Sequence, residues 1–150
     1  MRIALVVSQY HAFITNRLEA GARAALSEAG VAPGRVESFS VPGAFELAQA
    51  ASRVAATGEF DAVVCLGCLI RGETPHFEYI AGATAQGITA AGQQTGVPVT
   101  FGVLTTNTAD EALARAGEGA HNKGREAALA ALDMARLYAR FGRPAGRGPR

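Results

Sequence analysis

Short runs of aliphatic and β-branched residues alternate along this chain with longer stretches whose apolar positions recur at helical spacing. That alternation limits the fold more than any other feature. Residues 2–8 form an aliphatic run that ends at Ser8, as expected of a strand covered on both faces. From Phe13 to about Gly30 the positions Phe13, Ile14, Leu18, Ala22, Ala25 and Leu26 repeat as in a helix, with Gly30 a natural stop. Arg35 to Val41 alternates as a strand does until Pro42-Gly43 breaks it, and Ala44 to Ala56 is helical in composition. Phe60 to Ile70 is the most continuous apolar run and reads as the central strand. A helix is expected from about His76 to Gln94, then a fourth strand from Gly96 to Leu104 with Pro98 at its start or on an edge. Thr108 or Asp110 opens a short helix, and Asn122 to about Phe141 forms the last. Strand and helix in this rhythm imply an α/β chain: a four-stranded parallel sheet between helices, a three-layer α/β/α sandwich.

Composition supports one packed domain. The chain is 49% hydrophobic and 18% charged, with a net charge of +1, so it carries neither the polarity of a disordered segment nor the basic excess of a nucleic-acid or membrane-surface binder. The one basic cluster, Arg140 to Arg150, interleaves Arg with Pro and Gly and reads as a flexible tail over 142–150, beyond a single domain spanning 1–141. No run approaches the length that crosses a bilayer. The apolar start lacks the flanks of a signal peptide, so a cytoplasmic location is expected. Cys65 and Cys68 have CxxC spacing, but they sit inside the apolar run and no second pair exists. They read as small core residues rather than a metal or redox site.

In open parallel sheets, ligands bind beyond the carboxyl ends of the strands, near the point where strand order reverses. The strand ends of this chain hold much of its polar chemistry. Arg71-Gly72-Glu73-Thr74-Pro75-His76 combines a glycine turn, a hydroxyl and an imidazole at a helix start, where backbone N–H groups favour an anion. Thr74 as a helix cap beside a solvated His76 is the simpler alternative. Glu46 lies early in a helix, where the helix dipole favours a carboxylate and capping alone could account for it. Tyr10 and Phe101 end different strands, and their rings could face one cleft and stack on a flat heterocycle. Lys123 is the only lysine in the chain, and Arg115 precedes it across a glycine-broken linker, so the two cations could meet one phosphate. Neither GxGxxG nor a Walker-type loop is present, which argues against dinucleotides and nucleoside triphosphates.

Four segments, in order, resemble the lumazine synthase family of riboflavin biosynthesis: Val41-Pro42-Gly43-Ala44-Phe45-Glu46-Leu47, Leu66 to Tyr79 with its Arg71-Gly72-Glu73-Thr74-Pro75-His76 core, Val97 to Thr106, and Arg115-Ala116-Gly117 followed by Asn122-Lys123-Gly124. The resemblance runs from residue 2 to about 138 and implies a flavodoxin-like fold. It also implies a transferase that condenses 5-amino-6-(D-ribitylamino)uracil with 3,4-dihydroxy-2-butanone 4-phosphate, releasing phosphate and water, without metal or cofactor. By motif position, Tyr10 would stack on the pyrimidine with Phe101 nearby. Ala44, Phe45 and Glu46 would bind the ribitylaminouracil, and Cys68, Leu69 and Ile70 would line its site through their backbone. Glu73 and Thr74 would present amides to the phosphate, Arg115 would clamp it with Lys123 beside it, and His76 would carry the proton.

The chain departs from the family pattern in having Tyr10-His11 where Phe-Asn is common, which puts a second imidazole near the site. The family forms pentamers with sites shared between adjacent subunits, and some members assemble twelve pentamers into a shell. The short Arg115-to-Lys123 linker leans toward the sixty-subunit shell, and a start so close to the first strand leans away from it. A homopentamer is expected, with the shell left open, as is association with riboflavin synthase. The alternatives are an archaeal-type pentameric riboflavin synthase and a non-catalytic flavin- or lumazine-binding protein.

Overall fold

Four strands, β1 (Ile3–Ser8), β2 (Val36–Val41), β3 (Ala62–Ile70) and β4 (Val99–Thr106), lie side by side in a computed structural model that describes residues 1–142. All are parallel, in the order β2-β1-β3-β4. Parallel neighbours cannot be joined by a hairpin, so each connection crosses over the sheet with helical structure. The helices are α1 (Ala12–Glu28), α2 (Leu47–Ala56), α3 (His76–Thr95), α4 (Ala109–Ala114) and α5 (Lys123–Ala139). This is the three-layer α/β/α arrangement expected from the alternation, and it is flavodoxin-like, as the family resemblance implies. The basic tail expected from residue 142 onward falls, but for Gly142, outside the described residues.

The two sheet faces define two cores. On one, Leu5, Val7, Val64 and Leu66 pack against Ile14, Leu18 and Leu26 of α1 and against Ala128, Ala131 and Leu132 of α5. On the other, Ala4, Val6, Val63 and Val103 meet Leu47, Ala51 and Ala55 of α2 and Ile88 of α3. Each fully buried Leu or Ile contributes about 1.5–3 kcal/mol relative to exposure. The central strands carry most of this burial, since Ile3–Ser8 and Ala62–Cys68 are buried throughout. Cys65 and Cys68, three apart on β3, point to opposite faces and belong to different cores. They cannot share a ligand, and both are free thiols. Burial pushes Cys65 up to about 12 and Cys68 up to about 11, because the thiolate would lose its solvation.

Two boundaries differ from expectation for local reasons. β4 begins at Val99 rather than Gly96: Pro98 has no N–H to donate, although its carbonyl accepts from Val63 N at 2.8 Å. β4 then runs on through Thr105 and Thr106, which pair with Leu69 and Ile70. Ahead of α2, residues Ala44–Glu46 form a short 3₁₀ turn, so Glu46 is the residue just before that helix. Thr108 does open α4, accepting from Glu111 N in a capping box.

Candidate functional site

The chain leaves β1 for β2 on one side and later enters β3 on the other. The connections at the carboxyl ends of β1 and β3 therefore diverge, and a hollow of about 540 Å³ opens there. Tyr10 and His11 follow β1 into it, Gly43 to Glu46 enter from β2, Leu69, Ile70, Gly72 and Thr74 come from β3, and His76, Phe77 and Ile80 come from α3. Tyr10 is 68% exposed, so its ring is accessible to a flat ligand. α3 starts at His76, with Pro75 as the flanking residue and no side-chain cap, so Thr74 is not the cap the simpler alternative required.

His11 is the only non-glycine among the described residues with positive φ, at 59°. The left-handed conformation costs about 1 kcal/mol for most residues, although His tolerates it better than most. It is held by hydrogen bonds on both sides: Tyr10 N donates to Pro42 O at 3.1 Å, and Ile14 N and Thr15 N donate to His11 O at 2.9 and 3.0 Å. Partial burial pushes the His11 imidazole below the usual histidine range, which favours the neutral ring.

A second hollow, of about 460 Å³, runs along the open edge of β4. Phe101, Thr105 and Asn107 line one wall, and Arg115, His121 and Lys123 the other. Its two carboxylates are already engaged. Glu111 accepts from the backbone N–H groups of Asn107 and Thr108 at 2.9 and 3.0 Å, and Glu126 pairs with Lys123 Nζ at 3.3 Å. Arg115 pairs with no acid among the described residues, so its charge faces the hollow unneutralised. The linker before Lys123 is fixed by Asn122. This buried amide donates to Arg17 O, Ala116 O and Gly117 O at 3.2, 3.1 and 3.0 Å, and its oxygen accepts from Arg125 N at 3.0 Å.

Arg71 braces the wall between the hollows. Its backbone N donates to Thr106 O at 2.8 Å and its Nε donates to Asn107 Oδ1 at 2.9 Å. The guanidinium lies 4.6 Å from the centre of the Phe77 ring and pairs with Glu78. That hydrogen bond, ahead of the Glu78 backbone amide and the Arg71 charge, holds the Glu78 carboxyl below the usual carboxylate range. A third hollow, of about 510 Å³, lies at the opposite, amino-terminal end of the strands beside Pro98, Tyr138 and Phe141, and no expected site residue lines it.

The family model for 6,7-dimethyl-8-ribityllumazine synthase matches residues 1–139. The chain belongs to that family. Lumazine synthases are transferases of riboflavin biosynthesis, and membership implies small-molecule substrates and assembly into oligomers. Among the described residues no helix is long and apolar enough to cross a membrane, and no group of three His, Cys, Asp or Glu side chains is placed to hold a metal ion.

Of the residues expected at a lumazine synthase site, Tyr10, Ala44, Phe45, Glu46, Leu69, Ile70, Thr74 and His76 line the first hollow. Phe101, Arg115 and Lys123 line the second. Glu73 lies beside Thr74 on an exposed turn and borders neither, and the Cys68 side chain is buried in the core beneath. Within one protomer Tyr10 and Phe101 do not face one cleft. β3 separates β1 from β4, and Phe101 is the third residue of its strand rather than the last. Sequence reasoning did not single out Phe77, Ile80, Asn107 or His121. Phe77 and Ile80 follow His76 on the first turns of one helix, and Asn107 follows the last residue of β4, so their adjacency to chosen residues was the available signal.

Proposed function

We propose that this chain condenses 5-amino-6-(D-ribitylamino)uracil with 3,4-dihydroxy-2-butanone 4-phosphate, giving 6,7-dimethyl-8-ribityllumazine, phosphate and water, the penultimate step of riboflavin biosynthesis. One observation carries the reading: Tyr10 and His76 line one hollow, and the unneutralised Arg115 lines another together with Phe101. Neither hollow holds a full complement for two substrates, one flat and one phosphorylated. The site is completed when the first hollow of one protomer meets the β4 edge of the next in a homopentamer. A further shell of twelve pentamers is compatible with the same pairing.

In this reading Tyr10 stacks on the pyrimidine, with Phe101 of the adjacent protomer closing over the same ligand. Glu46 accepts hydrogen bonds from ribityl hydroxyls, beside Ala44 and Phe45. The backbone of Cys68, Leu69 and Ile70 borders the ring. The phosphate of the four-carbon substrate rests on the amides of Glu73 and Thr74 before α3 and on Arg115 of the adjacent protomer, with Lys123 close by. Imine formation and dehydration both need protons moved near neutral pH, and His76 is the carrier, contributing about 10²–10⁴-fold. Arg115 stabilises negative charge as phosphate departs. Holding two substrates face to face supplies much of the remaining acceleration. The reaction uses no metal or organic cofactor.

The test is phosphate release in the presence of both substrates, with sedimentation to count subunits. Stoichiometric phosphate and lumazine from a pentamer are expected. Ligand binding without phosphate release would refute the reading, as would riboflavin formation from lumazine alone.

A further inference from the structure

We infer that His11 is a binding residue of the first hollow: its imidazole hydrogen-bonds the polar edge of the flat, nitrogen-rich substrate stacked on Tyr10, while His76 keeps the proton transfer. The inference rests on the proposed reaction and deepens it. A turn that needs a positive φ is most easily built with glycine, and asparagine is the next best choice. A histidine tolerates the conformation without being required by it, so what distinguishes His11 from glycine or asparagine here is its ring.

The ring is placed as a ligand contact would be. It lies edge-on to the Tyr10 ring, centroids 4.6 Å apart, and edge-on to Phe13 at 6.1 Å. Two aromatic neighbours therefore restrict its rotation and set its plane against the surface on which a heterocycle would rest. It lines the same hollow as Glu46 and His76. Neither ring nitrogen is hydrogen-bonded to another described residue, and the side chain does not cap α1. A neutral imidazole has one donor and one acceptor, which suits a pyrimidinedione edge where N–H and C=O groups alternate. Partial burial favours that neutral form.

The closing experiment compares wild type with His11→Gly and His11→Asn. Glycine keeps the backbone conformation and removes the hydrogen bonds, and asparagine keeps both the conformation and a donor–acceptor pair. The expected result for His11→Gly is a roughly tenfold rise in KM for the ribitylaminouracil, corresponding to about one hydrogen bond, with kcat and the KM for the butanone phosphate within about twofold of wild type. His11→Asn should recover most of the loss. Fluorescence titration with 6,7-dimethyl-8-ribityllumazine, which needs no turnover, should give the same ranking of dissociation constants. Unchanged KM and lumazine affinity in His11→Gly would overturn the inference. So would a fall in kcat alone that asparagine does not restore, which would make His11 the proton carrier. If wild type binds lumazine but turns over nothing, the proposed reaction fails, and the titration still decides the role of His11.

Discussion

A methyl group added at Gly124 should loosen the packing of α1 on α5 and with it the cationic hollow. Gly124 is the second residue of α5, and a Cβ built there would lie 2.0 Å from Leu18 O, 2.6 Å from its carbonyl carbon and 2.9 Å from its Cα. All three are backbone atoms of α1, so no side chain can rotate away. Restoring ordinary contact of about 3.5 Å requires the helices to part by roughly 1–1.5 Å. The seam that must open holds Leu18, Ala22, Ala25, Ala128, Ala131 and Leu132, each 0–1% exposed. A gap of about 0.5–1 Å already forfeits a quarter to a half of each affected dispersion contact, and this one is wider. Overpacking of this kind costs about 1–3 kcal/mol, and the rigid backbone on both sides puts Gly124→Ala near the top, at about 3 kcal/mol. The gain in helix propensity is less than about 1 kcal/mol at a first-turn position. For a domain of this size the melting temperature should fall by about 6–12 °C. Gly34→Ala is the control, because nothing lies within 4 Å of a Cβ there. It should melt within about 2 °C of wild type. Differential scanning calorimetry of the three proteins at one protomer concentration checks this. A Gly124→Ala variant that melts with Gly34→Ala would refute the argument that the helices touch backbone to backbone.

Three other outcomes are expected. His76→Ala and Arg115→Ala, each nearly inactive alone, should regain about a quarter of wild-type activity when unfolded together and reassembled at equal concentration, because half the first hollows and half the second hollows are intact; activity no greater than the sum of the separate variants would place the whole site within one protomer. Cys65 and Cys68, pushed up to about 12 and about 11, should both resist a thiol reagent at pH 8 in the folded protein and react after unfolding; rapid labelling of either in the native state would contradict their burial. The depressed Glu78 carboxyl gives stability that is present above its ordinary unfolded value and lost as pH falls through the lower folded one, so Arg71→Met should melt slightly below wild type at pH 7 and the gap should narrow as the pH is lowered through the carboxylate range, leaving only the part due to Asn107 and Phe77; a gap that stays constant on acidification would show that the pair contributes nothing.

The order of elements was legible because it depends on one-dimensional periodicity. Val63 and Leu66 in an unbroken apolar run mark a central strand, and Leu18, Ala22 and Leu26 mark a helix face, whatever the tertiary partner. Pro98 was legible as a strand start, but the number of residues that pair beyond it was not, because Thr105 and Thr106 pair only once Leu69 and Ile70 extend β3 alongside them. Tyr10, Glu46 and His76 could be grouped because each lies just beyond the carboxyl end of an expected strand, which periodicity marks without the strand order. Phe101 and Arg115 could not be separated from them, since only the position of β3 between β1 and β4 shows that they face a different edge. The brace by Arg71 was also hidden. It spans Asn107, which the β3–β4 register brings beside Arg71, and Phe77 and Glu78, which the turn into α3 folds back onto it.

The four hydrogen bonds of Asn122 have a thermodynamic consequence for anion capture. They tie a carbonyl of α1, two carbonyls of the linker and the first turn of α5 to a single amide, so Arg115 and Lys123 are mounted at the two ends of a segment that is already ordered. A phosphate arriving there immobilises little beyond two side chains, and little of its binding free energy is spent on loop ordering. Loosening that amide would weaken affinity entropically even though neither cation had been touched.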